Sequence, residues 1–285
     1  MADIKKVLVI GTGVLGSQIA YQTAYSGFDV AVYDISDEIV GTARDTTFPG
    51  LAKTYLNEVK DATQEKVDAA LARLTYHSDM ASAATDVDIA IEAAPERLSI
   101  KEGIFADLNK VAPERTIFCT NSSTLLPSDI APSTGRPDRF LAMHFANRVW
   151  QFNTAEIMGT PQTDTAVFDR VVEFGTEIGM VPIPMHKEKA GYVLNSLLVP
   201  FLAAAAELAA GDYADPKAVD DVWRIATGAP LGPFQIYDIV GLNTPYNIMI
   251  NGDAEQQKLG AWLKENYIDK GRLGMASGHG FYDYV

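Results

Sequence analysis

A glycine pattern close to the start of the chain constrains its fold more than any other feature. The apolar, β-branched run Lys6–Ile10 leads straight into Gly11-Thr12-Gly13-Val14-Leu15-Gly16. The run reads as a strand, and Val14 to Ser26 as a helix stopped by Gly27. Between a strand and a helix each glycine has its own reason. Gly11 permits the tight turn, Gly13 lets a pyrophosphate approach the backbone, and Gly16 lets the helix lie close on the sheet. The amides of this turn, from Thr12 to Val14, Leu15 and Gly16, then face negative phosphates with the helix dipole behind them. A second strand, Asp29–Tyr33, ends at Asp34, eighteen residues past Gly16. A carboxylate there accepts both ribose hydroxyls of an adenosine and repels a 2′-phosphate, with no adjacent Lys or Arg to offset it. The expected cofactor is therefore NAD rather than NADP.

The rest of the first half continues in the same alternation. Strands are expected at 87–93, 116–120, 140–144 and 181–185, with helices after Ser36 and at 64–74, 98–108 and 163–178. Strands alternating with helices imply a parallel, doubly wound sheet of Rossmann type. From Gly191 the pattern becomes helical: 192–210, 216–226 with Asp215 as N-cap and Gly228 as stop, 234–240 and 254–265. The expectation is an α/β fold, with a dinucleotide-binding domain over residues 1–186 and an all-helical domain over 187–285. The stretch 191–211 has the ~20 apolar residues that can span a bilayer. It carries Asn195, Ser196, Pro200 and Glu207 and no basic flank, so it reads as a helix of a protein core or subunit interface.

Charge and cysteine content exclude whole classes of partner. With 23 Lys and Arg against 37 Asp and Glu, the net charge is −14. That argues against nonspecific nucleic-acid binding and against docking on anionic membranes. An anionic ligand must be held by local cations and backbone amides. Cys119 is the single cysteine, which excludes an internal disulfide and a Cys-rich zinc site; no metal is expected. The N-terminus lacks signal-peptide character, and a reducing cytoplasm fits.

Chemistry is expected at the C-terminal ends of the strands. His144 ends one of them, and a general base near neutral pH is most often histidine. Glu156 is the nearby carboxylate able to fix its tautomer and stabilise the imidazolium. Ala93-Ala94-Pro95-Glu96 and Asn121-Ser122-Ser123-Thr124 follow two other strands. Taken alone, each of these also reads as a polar turn, and His144 as a structural histidine.

Together these residues resemble the L-3-hydroxyacyl-CoA dehydrogenase family, including the bacterial 3-hydroxybutyryl-CoA dehydrogenases. The likeness runs through GTGVLG at 11–16, Asp34, EAAPE at 92–96, NSSTL at 121–125 and DRFLAMHF at 138–145. It continues through Glu156, GYVLNSLLVP at 191–200, PLGPFQIYDIVGL at 230–242 and GHGFYDY at 278–284. It implies that His144 is the base taking the 3-hydroxyl proton, paired with Glu156. It implies that Ser123 bonds the substrate oxygen near the nicotinamide and that Asn195 holds the reacting end. Glu96, Lys101 and Asn147 match NAD contacts. The implied reaction is reversible, NAD-dependent oxidation of a short-chain (S)-3-hydroxyacyl-CoA to 3-oxoacyl-CoA, in fatty acid metabolism. The implied assembly is a homodimer through the helical domains.

Three positions depart from the family pattern. The run after the histidine is Ala146-Asn147-Arg148-Val149-Trp150-Gln151-Phe152, with Arg148 where proline is common, so an acyl pocket of altered size and polarity is expected. The stretch 48–57 offers Lys53 alone as a coenzyme A contact and contains a Pro-Gly pair read as helix-breaking. Ala276 replaces a lysine seen in some members. A CoA thioester therefore needs a patch such as Lys53, Lys60 and Lys101. A free hydroxy acid, of the sugar-acid or carnitine type, is the alternative substrate on the same fold. A catalytically idle NAD-binding protein, as in lens crystallins recruited from this superfamily, is the reading from another class.

Overall fold

The computed structural model describes residues 3–284. The chain divides into two compact units, Met1–Tyr192 and Val193–Val285. The strands are β1 (Lys6–Ile10), β2 (Asp29–Tyr33), β3 (Leu74–His77), β4 (Ile89–Glu92), β5 (Ile117–Thr120), β6 (Phe140–Phe145), β7 (Thr154–Gly159) and β8 (Val181–Met185). The helices around them are α1 (Val14–Tyr25), α2 (Asp37–Thr42), α3 (Phe48–Glu58), α4 (Gln64–Ala72), α5 (Met80–Ala83), α6 (Leu98–Val111), α7 (Pro127–Ile130) and α8 (Thr165–Glu177).

One eight-stranded sheet runs in the order β3-β2-β1-β4-β5-β6-β7-β8. The chain leaves β1 toward β2 on one side and returns to β4 on the other, which opens a crevice at the C-terminal ends of β1 and β4. Along β1, Val7 and Val9 join one core with Ile19, Tyr21, Tyr55 and Phe174, while Leu8 and Ile10 join the other with Phe105, Phe118 and Phe140. That alternation is the mark of a sheet covered on both faces. Cys119 lies fully buried in β5.

The expectation of an all-parallel sheet needs correcting at one place. β7 runs antiparallel to β6, and its register pairs His144 with Glu156. The two strands form a hairpin-like pair, so β7 begins at the edge of the sheet where β6 ends. The Pro-Gly pair in the stretch 48–57 also breaks nothing. Asp37–Glu58 is continuously helical through a wide turn at Ala43–Thr47, and Pro49 sits in the first turn of α3. It lies where the wide turn meets α3, a place where the regular α-helical ladder is already interrupted. β8 carries Pro182 and Pro184 at alternate positions. The N–H of Val181 donates toward β7's side, to Asn153 O at 2.6 Å, so the two proline nitrogens face the open edge.

The second unit is helical: α9 (Tyr192–Ala210, whose first residue belongs to the first unit), α10 (Pro216–Thr227), α11 (Pro233–Val240), α12 (Asn243–Met249) and α13 (Ala254–Asn266). Asp215 caps α10 through Ala218 N, and Gly228 ends it at φ +73°. The core gathers Leu202, Ala206, Phe234, Tyr237, Leu242 and Leu263. The buried Asp238 carboxylate fastens the C-terminal segment. It accepts from Phe281 N (2.7 Å), Tyr282 N (2.9 Å) and Tyr284 OH (2.8 Å). A Cβ at Gly280 would stand 1.9 Å from Asp238 Oδ1, so glycine is required there. α9 is long and apolar enough to cross a membrane, and only 22% of its apolar window is buried. Leu197, Leu208, Val222 and Ile225 stay exposed on α9 and α10.

Candidate active site

The glycine turn has the shape that the sequence demands. Gly11 sits at φ +103°, and a Cβ on it would meet Ala93 O at 2.8 Å. A Cβ on Gly16 would meet Gly11 O at 2.1 Å, so the helix packs against the turn itself. At Gly13 there is nothing within 4 Å of a Cβ, and no side chain caps the start of α1. An open, uncapped helix N-terminus of this kind fits a diphosphate. Asp34 ends β2 beside the turn; its Oδ2 accepts from Thr12 N and Thr12 Oγ1, both at 2.7 Å. Its chain neighbours are Tyr33 and Ile35, which leaves an adenosine diol as the matching partner. These residues fit a dinucleotide without a 2′-phosphate.

Across the crevice, β4 and β5 end in a network of acids. Glu92 is fully buried and accepts from Lys101 Nζ (2.7 Å), Ala94 N (2.7 Å) and Thr120 Oγ1 (2.6 Å). Lys101 is 1% exposed and also lies 3.4 Å from Glu96. Its charge is thus spent inside the fold, and it leaves the cationic patch expected for a CoA ligand. Removing one partner of such a pair costs about 3–5 kcal/mol, because the other charge stays buried. Glu96 has a structural task as well. Its Oε1 accepts from Ser122 Oγ (2.6 Å), Ser123 N (2.9 Å), Thr124 N (2.8 Å) and Thr124 Oγ1 (2.9 Å). Burial pushes its carboxyl up, but Ser122, Thr124 and Lys101 outweigh that and hold it at about 2. Glu96 therefore shapes the turn that presents Ser123. Glu92 lies inside the EAAPE run but offers no sequence signal of its own beyond being an acid in an apolar strand.

The catalytic candidates of the first unit come together in a line. Ser123 Oγ is 3.0 Å from His144 Nε2, and His144 Nδ1 is 2.9 Å from Glu156 Oε2. A carboxylate only accepts, so Nδ1 carries the proton and Nε2 offers its lone pair to the Ser123 hydroxyl. The register of β6 and β7 enforces the pair, and both side chains are about 4% exposed. Asn121 Oδ1 accepts from Phe145 N at 2.9 Å and ties the end of β5 to β6. The imidazole also has a neighbour that the sequence did not single out. The ring of Tyr192 stacks on it at 4.4 Å between centroids and 15° between planes.

The remaining expected residues are more dispersed. Asn147 lies exposed on the loop after β6, and Lys53 lies exposed on α3. Arg148, at φ +60°, donates its guanidinium to Glu58 Oε2 (2.6 Å), which also accepts from Trp150 Nε1 (2.8 Å). Arg148 N donates to Gln18 Oε1 at 2.7 Å. The altered loop is thereby clasped to α1 and α3. Asn195 belongs to the second unit, where it lines a mainly apolar groove with Leu198, Val199, Tyr237 and Val240.

A doubly wound sheet with a diphosphate turn, an adenosine-binding acid and a serine–histidine–glutamate line defines an NAD-dependent oxidoreductase. The profile of the 3-hydroxyacyl-CoA dehydrogenase NAD binding domain matches residues 6–189, and that of the 3-hydroxyacyl-CoA dehydrogenase C-terminal domain matches residues 191–284. The chain belongs to the 3-hydroxyacyl-CoA dehydrogenase family. It is 33% identical to the mitochondrial hydroxyacyl-coenzyme A dehydrogenase of Rattus norvegicus, over 99% of this chain and 91% of that one. It is 30% identical to the 3-hydroxybutyryl-CoA dehydrogenase of Bradyrhizobium diazoefficiens, over 99% and 96%. Among solved structures it resembles a diketoreductase described for substrate-directed dual catalysis of dicarbonyl compounds. The two share 56% identity and a TM-score of 0.97, over the whole of both chains.

Proposed function

We propose that this protein catalyses the reversible, NAD-dependent oxidation of a short-chain (S)-3-hydroxyacyl-CoA to the 3-oxoacyl-CoA. The observation that carries this reading is the Ser123–His144–Glu156 line. The hydride acceptor in this chemistry is NAD. As the C3–H bond breaks, the 3-hydroxyl proton passes to Nε2 of His144. Glu156, accepting from Nδ1–H, stabilises the imidazolium that results. Ser123 Oγ, 3.0 Å from Nε2, turns its single proton from Nε2 to the same oxygen while that oxygen acquires carbonyl character. In reduction the imidazolium returns its proton to that oxygen. Asn195 takes its role as a second donor, and Lys53, Glu96, Lys101 and Asn147 their ligand contacts, from the family resemblance alone. Proton transfer by a placed group contributes ~10²–10⁴-fold to the rate.

A second substrate class, free dicarbonyl compounds or hydroxy acids, has specific observations in its favour. Lys101 is sealed between two acids, which leaves Lys53 and Lys60 as the cations for CoA phosphates. Arg148 is tied to Glu58. The diketoreductase that resembles this chain acts on dicarbonyl compounds. Purified protein with NADH decides between them, with acetoacetyl-CoA and a free 3-oxo ester as competing substrates. Faster loss of NADH absorbance with acetoacetyl-CoA is expected. Turnover of the free ester alone would transfer the conclusion to the second class, and turnover of neither would remove both.

For the assembly we propose a homodimer in the cytoplasm, built on the apolar surface of α9 and α10. Phe201, Leu208, Val219, Val222 and Trp223 line one groove there. A matching copy of this face is a better partner than a lipid bilayer for a helix that carries Asn195 and Glu207.

A further inference from the structure

We propose that Tyr192 is a positioning residue of the reaction, acting through His144 as an aromatic clamp on one face of its imidazole. The inference rests on His144 being the proton-transferring group proposed above. The two rings are nearly parallel, 15° apart, with centroids at 4.4 Å. Tyr192 is 1% exposed, and it packs with Ala142 of β6 and Met158 of β7. Ala142 pairs with Met158, and His144 with Glu156, two residues along each strand. All four side chains therefore project from one face of the sheet. The tyrosine packs against this surface beside the small Ala142.

The backbone is bent to bring the ring there. Gly191 is at φ +82° and Tyr192 at φ +53°, while Tyr192 N donates to Lys189 O at 3.0 Å. An aromatic residue in the left-handed region is strained, and such strain is retained where surrounding contacts hold it. Burial, with Glu96, Glu156, Glu92 and Glu188 nearby, pushes the phenol well above its ordinary range, so it stays a neutral ring with a proton. Two contacts to His144 lie in the ring plane, Glu156 at Nδ1 and Ser123 at Nε2. The Cβ–Cγ bond and these two partners set the plane of the ring and leave its faces to the neighbouring atoms. The stacked ring backs one of those faces, which limits the swing of the imidazole about Cβ–Cγ and with it the direction of the Nε2 lone pair, and its π-face favours the imidazolium.

Tyr192→Phe keeps the stack and Tyr192→Leu removes it. In NADH-dependent reduction of acetoacetyl-CoA, or of the free ester if that is the substrate, Tyr192→Phe should retain kcat within about threefold. Tyr192→Leu should lose roughly 10–100-fold in kcat, the scale of a mispositioned catalytic group. In Tyr192→Leu the KM for NADH should stay near that of the wild type. The isotope effect with NADH deuterated at the transferred position should rise, since chemistry becomes slower than release. A packing defect would instead lower the fraction of protein that titrates with NADH and leave the isotope effect unchanged. Wild-type kcat in Tyr192→Leu, an unchanged isotope effect, or equal losses in the Phe and Leu variants would overturn the clamp. An inactive wild type would overturn the proposed reaction itself.

Discussion

Glu96 shows how a single oxygen organises the site. Four donors from Ser122, Ser123 and Thr124 converge on its Oε1, and their pull sets its pH behaviour. The carboxyl is held at about 2 against an ordinary 4.5, so the folded state prefers the ion. Its contribution to stability is complete above the ordinary value and disappears as pH falls from about 4.5 to about 2. Glu96→Gln should accordingly lower the urea midpoint near neutral pH, and the gap to wild type should narrow through that window. A gap independent of pH would mean that the bonds, and not the charge, do the holding. Much of this region was legible at the residue level. The glycines, Asp34 and His144 were read from spacing and from their places at strand ends, Glu156 as the nearby carboxylate, and Ser123 took its role from the family resemblance. The pairing of Lys101 was not legible, because nothing in a sequence says that a lysine on a helix points back to the buried Glu92 and the partly exposed Glu96. Tyr192 was equally silent: an aromatic in an apolar block reads as packing.

Elements were read well where periodicity and caps agreed and poorly where short strands lacked them. β1, β2 and β8 were expected at their observed bounds, and the N-caps Ser36 and Asp215 hold their helices as anticipated. β3 and β7 were missed. Thr154–Gly159 is a short run with no Gly or Pro turn directly before it, and its partner is fixed by a tertiary register that no local pattern carries. That register is what joins Glu156 to His144. In the second unit the decisive element contact is Asp238 with the C-terminal segment. Asp238→Ala strands two backbone N–H groups and a phenol, and should cost about 3 kcal/mol. Urea unfolding followed by far-UV circular dichroism measures it. NADH affinity should change little, because the dinucleotide turn lies in the first unit. A parallel loss of both would mean that the units do not respond independently.

At the scale of the whole molecule, the apolar surface of the second unit sets the expected assembly. Ile225 is 83% exposed and Val222 68%, one helical turn apart on α10. Single exposed apolar residues are ordinary, but a contiguous set beside an apolar groove marks an interface. The protein should sediment as a dimer at micromolar concentration, and Ile225→Lys should yield monomers with unchanged far-UV circular dichroism. A wild-type monomer would end the proposal, and co-sedimentation of that monomer with lipid vesicles would assign the surface to a membrane instead. Charge does not forbid the association: −14 on each copy acts over a Debye length of about 8 Å at physiological ionic strength.

The outer edge of β8 adds a second restriction on how copies meet. Its two prolines remove two successive donors from the open side, so an approaching strand finds acceptors but no alternating ladder. A sheet of eight strands could otherwise grow by templating a neighbour, during crowded synthesis above all. Here the strand that closes the sheet is also its terminator. The dimer proposed above would then meet through side chains on helices, a contact that can be tuned one residue at a time and does not propagate.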